Sequence, residues 1–122
     1  MSPILIVEDD ADVRDTLVEV LEDEGYRVAT AADGIDALAY LQDAVVLPRL
    51  ILLDIMMPRM DGITFRAEQV KKANLARIPV AVVSADDQAG KNASLLRVAG
   101  FLRKPIKLVD LLALVERLAG LP

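Results

Sequence analysis

The sequence predicts one α/β domain: a doubly wound parallel sheet of five successive strand–helix units. Three observations predict it. Short apolar runs of strand length recur along the chain, and amphipathic segments with helical spacing lie between them. The chain has 122 residues, 54% of them hydrophobic, which suits one core of ordinary domain size. Strands that alternate with helices form parallel sheets covered on both faces.

Residues 4–7, 50–53 and 80–83 are uninterrupted apolar runs and read as strands buried on both sides. Residues 27–31 alternate better and read as a strand nearer an edge, and residues 101–103 give a short fifth strand. Val13, Leu17, Val20 and Leu21 make the apolar stripe of a first helix whose other face is acidic. Gly25 is a natural stop for it. Ile35, Leu38 and Leu41 mark a second helix. Ile63, Ala67 and Val70 mark a third that ends near Asn74. Leu95, Leu96 and Val98 mark a weaker fourth, and Leu108, Leu111, Leu112, Val115 and Leu118 a strong fifth. No linker, repeat or low-complexity segment interrupts the series, so residues 1–122 read as a single domain.

Composition removes several function classes. The chain lacks Cys, His and Trp, so it holds no disulfide framework, no thiolate or imidazole metal site and no Ser-His or Cys-His pair. Fourteen Lys and Arg stand against nineteen Asp and Glu, a net charge of −5, which argues against general nucleic-acid binding. The charge is uneven: residues 1–61 hold fourteen acids and four bases, residues 62–122 five acids and ten bases. The sequence carries no targeting signal and no apolar stretch near the roughly 20 residues of a membrane span. A cytoplasmic location follows by default.

Ligands of open parallel sheets bind beyond the carboxyl ends of the strands. Glu8, Asp9 and Asp10 follow the first strand, Asp54 the third, Ser84 the fourth, and Lys104-Pro105 the fifth. Each alone has an ordinary reading. Asp10, Asp12 and Asp15 suit a helix cap and its first turns, Ser84 suits a cap, and Lys104 suits a solvated surface. Asp54 resists that reading, because Ile55-Met56-Met57-Pro58 follows it rather than a helix it could cap. Together, Glu8, Asp9 and Asp54 would gather negative charges that repel unless a cation joins them. Oxygen ligands without His or Cys suit Mg²⁺ or Mn²⁺. A lysine and a hydroxyl opposite the ion would serve the other oxygens of a phosphoryl group. The chemistry this favours is phosphoryl transfer to a carboxylate.

At these residues the chain resembles the receiver domain of bacterial two-component response regulators. The resemblance runs from residue 4 to about residue 118. It rests on Ile4-Leu5-Ile6-Val7-Glu8-Asp9-Asp10, Leu53-Asp54-Ile55-Met56-Met57-Pro58-Arg59-Met60-Asp61-Gly62, Val83-Ser84-Ala85 and Arg103-Lys104-Pro105, in family order. It implies a flavodoxin-like strand order 2-1-3-4-5 and phosphorelay signalling. Asp54 would be the phosphoacceptor, and Asp9, Asp54 and the Met56 backbone carbonyl would hold Mg²⁺ (or Mn²⁺), with Glu8 acting largely through water. Ser84 and the Ala85 backbone N–H would bond the phosphoryl group, and Lys104 would pair with its charge. The Lys104–Pro105 bond is expected to be cis, which costs little before proline and would aim the lysine. Phe101 matches an aromatic switch that turns inward when Ser84 moves toward the phosphoryl group. Gly62 would begin the third helix.

The same resemblance implies a partner histidine kinase or histidine phosphotransfer protein as donor; with no His in the chain, the donor is not internal. It also implies a possible homodimer through the fourth helix, fifth strand and fifth helix, and a signalling switch rather than a turnover enzyme. No output domain is expected within the chain. Two features depart from or tune the pattern. The Ser84-to-Lys104 interval is shorter than usual in the family, and Met56 and Asp86 occupy positions that influence phosphoaspartate hydrolysis.

Competing readings are weaker. Ala85 to Lys91 misses the phosphate-loop motif at its first glycine and at Asn92. No G-x-G-x-x-G supports dinucleotide binding. Haloacid-dehalogenase-like phosphatases want D-x-D, and here the second position is Met56. The remaining alternative is a receiver-fold interaction module not regulated by phosphorylation.

Overall fold

The computed structural model describes residues 2–85 and 89–122. In chain order the elements are β1 (Ile4–Val7), α1 (Ala11–Asp23), β2 (Val28–Ala31), α2 (Gly34–Asp43), β3 (Leu50–Leu53), α3 (Gly62–Val70), α4 (Ala73–Ala76), β4 (Val80–Ser84), α5 (Ala89–Leu96), β5 (Gly100–Arg103) and α6 (Leu108–Ala119). The strands form one parallel sheet in the order β2-β1-β3-β4-β5, as expected. β1, β3 and β4 are buried along their whole length, whereas the edge strands β2 and β5 are only partly covered. The uninterrupted apolar runs are therefore the three central strands, as a sheet covered on both sides requires.

Alternate residues of each strand supply two cores. Ile4, Ile6, Leu50, Leu52, Ala81 and Val83 meet Leu17 and Leu21 of α1 and Leu111, Leu114 and Val115 of α6. Leu5, Val7, Ile51, Leu53 and Val80 meet Ala37 and Leu41 of α2, Phe65 of α3 and Leu75 of α4. Asp10 caps α1, accepting from the backbone N–H groups of Asp12 (2.9 Å) and Val13 (3.3 Å), its ordinary reading. At the other end Gly25 takes φ +98°. Its N–H donates to the Glu22 carbonyl and that of Tyr26 to the Leu21 carbonyl, the paired closure that ends helices at glycine.

Two helices present a different face from the one the large apolar residues predict. In α2 the buried residues are Gly34, Ala37 and Leu41, while Ile35 is exposed. The helix lies too close to the β3–α3 loop for bulk: the Gly34 N–H donates to the Met60 carbonyl at 3.1 Å, and a Cβ on Gly34 would come within 2.9 Å of that oxygen. In α3 the buried residues are Gly62, Phe65 and Gln69, and Ile63, Ala67 and Val70 face outward. A single aromatic ring carries the burial. Gln69, wholly buried, donates from its amide to the carbonyls of Leu75 (2.8 Å) and Ile78 (3.2 Å) and accepts from Arg66 at 2.9 Å. α3 ends at Val70, and Asn74 lies in the separate turn α4, which the apolar spacing did not predict. In α6, Leu108 is exposed and Leu114 buried instead.

At the pole where strands begin, Arg49 and Tyr26 gather the chain ends. Arg49 donates to the carbonyls of Ser2 (2.9 Å) and Leu121 (2.8 Å) and lies over the Tyr26 ring, whose hydroxyl donates to Gly120 at 2.6 Å. The opposite pole is left to the strand ends.

Gln69 is the one polar side chain on the buried face of α3, so removing its amide strands two carbonyls. Gln69→Leu should cost about 1–3 kcal/mol, read as a lower urea midpoint. An unchanged midpoint would show that the amide bonds contribute nothing net.

Candidate functional site

The strands deliver the candidate residues to one edge by register and parity. Val7 pairs with Ala31 on one side and Leu53 on the other, so Glu8 and Asp54 leave the sheet side by side. Glu8, Asp54 and Lys104 each lie two residues beyond Ile6, Leu52 and Leu102, which all face α1 and α6. With a side-chain period of two, the three project toward the same side.

Carboxylate oxygens of Glu8, Asp9 and Asp54 lie within 4.8 Å of one another. Glu8 and Asp54 are buried, 2% and 5% exposed, and Asp9 is open to solvent. Lys104 reaches in from the end of β5: its ammonium donates to Glu8 Oε1 at 2.9 Å and lies 3.5 Å from Asp54 Oδ2. The shorter contact is a charge-assisted hydrogen bond and the longer an ion pair at the limit of that geometry. Burial, reinforced by the Asp54 charge and countered by the Lys104 hydrogen bond, pushes the Glu8 carboxyl up to about 7. Burial also pulls the Lys104 ammonium down, but its bond to Glu8 and the charges of Asp54 and Glu8 outweigh that and hold it above its usual value. Three acids against one lysine leave the edge acidic. Hard oxygen donors with no sulfur or imidazole fit Mg²⁺ or Mn²⁺.

The loop from Asp54 to α3 is closely built. The Asp54 N–H donates to the Val7 carbonyl at 3.0 Å, and the Met56 N–H to Asp54 Oδ1 at 3.3 Å. Gly62 opens α3 as expected, its N–H bonded to the Ile55 carbonyl at 2.9 Å. A Cβ there would come within 2.5 Å of the Asp54 carbonyl, so only glycine lets the helix start this near the candidate phosphoacceptor. Asp61 caps that helix through the Thr64 N–H. Asp9 and Met56 line a common cleft of about 410 Å³ with Ile55, Met57, Pro58 and Asp61.

Ser84 is buried at the end of β4, and its carbonyl accepts from the Lys104 N–H at 3.0 Å. Ala85 follows it, exposed. The Lys104–Pro105 bond is cis. Phe101 is 45% exposed on the edge strand, paired in register with Val82. Asp86 lies outside the described residues, as does part of the rejected phosphate-loop segment. Two arginines that motif spacing gave no reason to single out also serve this edge. Arg14 of α1 donates to the Glu8 carbonyl at 2.8 Å, and Arg59 of the β3–α3 loop reaches Asp33 and Asp36 at the start of α2. Asp33 is buried and caps α2 through the Asp36 N–H, and the sequence reading singled out neither role.

The chain matches the response regulator receiver domain family over residues 4–116. It is 40% identical over 121 residues to response regulator PleD of Caulobacter vibrioides, covering 97% of this chain and 26% of that protein. It is 35% identical over 122 residues to response regulator MprA of a Mycobacterium species, covering 94% of this chain and 49% of that one. The chain thus spans between a quarter and a half of the length of these curated relatives. Among solved structures it superposes on chemotaxis protein CheY4 of Vibrio cholerae with a TM-score of 0.85 at 29% identity, covering 97% and 98% of the two chains. It superposes on the receiver domain of a sensor histidine kinase from Pseudomonas aeruginosa, described with a magnesium ion coordinated in the active-site cleft. There the TM-score is 0.87 at 28% identity, over 98% of both chains.

A carboxyl raised in the folded state keeps its proton where the unfolded chain has lost it. Glu8 therefore favours folding at low pH, and that contribution is lost as pH climbs from its ordinary value of 4.5 to about 7. In EDTA, the stability of wild type relative to Glu8→Gln should fall between about pH 5 and 8. A pH-independent difference in urea midpoints would contradict a raised Glu8.

Proposed function

Because the chain belongs to the response regulator receiver domain family, we propose that it is the receiving switch of a phosphorelay, with Asp54 as the phosphoacceptor. The observation that carries the reading is the convergence of Glu8, Asp9 and Asp54 on one lysine at the carboxyl edge of the sheet. The donor would be the phosphohistidine of a sensor kinase or phosphotransfer protein. An Asp54 oxygen attacks phosphorus, a P–O bond forms, the P–N bond breaks, and its electron pair stays on the departing imidazole. Glu8, Asp9, Asp54 and the Met56 carbonyl would hold Mg²⁺ or Mn²⁺. What the bound ion supplies is neutralisation of the phosphoryl oxygens as they near the carboxylates. The Lys104 ammonium, 3.5 Å from Asp54 Oδ2, would pair with a phosphoryl oxygen, and Ser84 Oγ and the Ala85 N–H would donate to the others.

An apolar groove of about 470 Å³ opens beside Lys104, with Val13, Leu17, Val20, Ile106 and Leu111 in its walls. It offers a protein donor an apolar docking surface beside Lys104. Phosphorylation adds about two negative charges. Ser84 drawn inward would make room for Phe101, and the α5–β5–α6 face would change partner or dimerise, a population shift driven by local charge. Among the described residues, Leu95 of α5, Phe101 of β5 and Leu108 and Val109 of α6 are exposed large apolar groups. The reading implies a switch without catalytic turnover, no nucleic-acid contact by this domain, and a cytoplasmic location. No helix among the described residues is long and apolar enough to cross a membrane.

Incubation with acetyl phosphate and Mg²⁺ should add the mass of one phosphoryl group to the wild-type chain and none to Asp54→Asn. Beryllofluoride with Mg²⁺ should shift NMR resonances around Asp54 in wild type only. No phosphoryl uptake in wild type would favour the interaction module, and uptake retained by Asp54→Asn would remove Asp54 as the acceptor. Met56→Asn should change the dephosphorylation rate, measured as decay of the phosphorylated mass; an unchanged rate would remove Met56 from that role.

A further inference from the structure

Arg59 is the unusual residue of the β3–α3 loop. Its backbone is left-handed, φ 61°, a conformation that glycine adopts with less strain. Its side chain is committed to the start of α2: Nε donates to Asp33 Oδ2, and Nη2 donates to Asp36 Oδ1 at 2.8 Å. Asp33 uses its other oxygen to cap α2, accepting the Asp36 N–H at 2.9 Å. One buried carboxylate thus holds a helix and a loop together, and the guanidinium beside it keeps its carboxyl below the ordinary range. The next residue adds a backbone tie, the Met60 carbonyl accepting from the Gly34 N–H at 3.1 Å.

These ties fix the loop in its middle. Its ends are fixed by Asp54, bonded to the Val7 carbonyl, and by Gly62, bonded to the Ile55 carbonyl. Residues 55–58 lie between those anchors, the Met56 N–H held by Asp54 Oδ1 and the Pro58 carbonyl by the Met60 N–H, and they carry the Met56 carbonyl and one wall of the cleft shared with Asp9. The Arg59 side chain is itself half exposed, so the arm to exposed Asp36 adds little stability. The arm to buried Asp33 has a fixed target and sets position.

We propose that Arg59 is a positioning residue: its clamp on Asp33 and Asp36 holds the Met56 carbonyl in place relative to Asp9 and Asp54, and so sets the affinity for the divalent cation. The proposal rests on reading this edge as a Mg²⁺-dependent phosphoacceptor site. The Arg59 side-chain bonds go to Asp33 and Asp36, not to Glu8, Asp9 or Asp54. The clamp accounts for an arginine standing where the backbone alone would favour glycine.

The test uses Arg59→Gly, Asp33→Asn and their combination in the whole chain. Glycine suits the left-handed backbone, and asparagine keeps the helix cap while removing the buried charge that Arg59→Gly alone would strand. Three readouts are taken: Mg²⁺ affinity by calorimetry, amide exchange of residues 55–61 in EDTA, and the urea midpoint. Arg59→Gly should weaken Mg²⁺ binding by about tenfold, the scale of lost outer contacts at metal sites. Exchange in the loop should quicken, and the urea midpoint should fall because the buried Asp33 carboxylate is left without its cation. Asp33→Asn, which leaves no such charge, should weaken Mg²⁺ binding and quicken exchange alike with its urea midpoint closer to wild type, and the double variant should be no worse than either single one. Arg59→Lys, able to reach one carboxylate at a time, should fall between. Mg²⁺ affinity in Arg59→Gly within about twofold of wild type, or losses that simply add in the double variant, would overturn the proposal. Wild-type protein that binds no Mg²⁺ would overturn the reading beneath it, a result distinct from wild type and Arg59→Gly binding equally well.

Discussion

A parallel sheet ends all its strands on one edge, and here that edge gathers charges of one sign. Three carboxylates with oxygens inside 4.8 Å repel by about 3–4 kcal/mol per ionised pair at an effective dielectric near 20. Lys104 offsets part of this through Glu8 at 2.9 Å and Asp54 at 3.5 Å, but one ammonium does not balance three acids. Two remedies remain, a proton or a second cation. The raised Glu8 carboxyl is the first, and a divalent ion is the second. On the phosphoacceptor reading, a proton and the ion would compete for that excess charge.

The surrounding structure lets this excess persist. The three central strands are wholly apolar and sealed on both faces, so the backbone beneath the acids has no competing polar contact to slip toward. The loops are then fixed by acids of a second kind. Asp10, Asp33 and Asp61 each cap a helix that starts at this edge or next to it. The acidity of the first half of the chain is thus divided. Glu8, Asp9 and Asp54 converge at the sheet edge, Asp10, Asp33 and Asp61 hold the frame, and others such as Glu19 and Glu22 lie on the exposed side of α1. Arg14 and Arg59 serve the frame as well, bonding a carbonyl and the caps rather than the convergent carboxylates.

The legible parts of the sequence were those whose physics is local. Runs such as Leu50 to Leu53 exclude alternatives by composition alone, and the residue after such a run must stand at the sheet edge. Asp54 and Lys104 could therefore be singled out before their neighbours were known. The faces of α2 and α3 were not legible. Close approach there is achieved by Gly34, Ala37 and Gly62 rather than by bulk, and Gln69 is buried because Leu75 and Ile78 offer it carbonyls. Apolar residues counted at helical spacing point to Ile35, Ile63 and Val70, which face outward. Pairings distant along the chain were equally hidden. Nothing near Arg59 announces Asp33, and nothing near Lys104 says that its nearer carboxylate is Glu8 rather than Asp54.

That last preference bears on how a charge at this edge could reach the surface. Lys104 is bonded through its side chain to Glu8 and through its backbone N–H to the Ser84 carbonyl. On the phosphoacceptor reading, a phosphoryl group on Asp54 competes with Glu8 for the ammonium while drawing on the Ser84 hydroxyl. Both pulls act on the same joint between β4 and β5. Phe101 lies three residues before Lys104 on a strand that is only partly covered. An edge strand has neighbours on one side only, so it yields at lower cost than β1 or β3, which are paired on both sides. The other edge strand, β2, is equally one-sided, but Lys104 and the Ser84 carbonyl tie the acidic edge to β5, so on this reading the pull runs toward β5 and the exposed residues of α5 and α6.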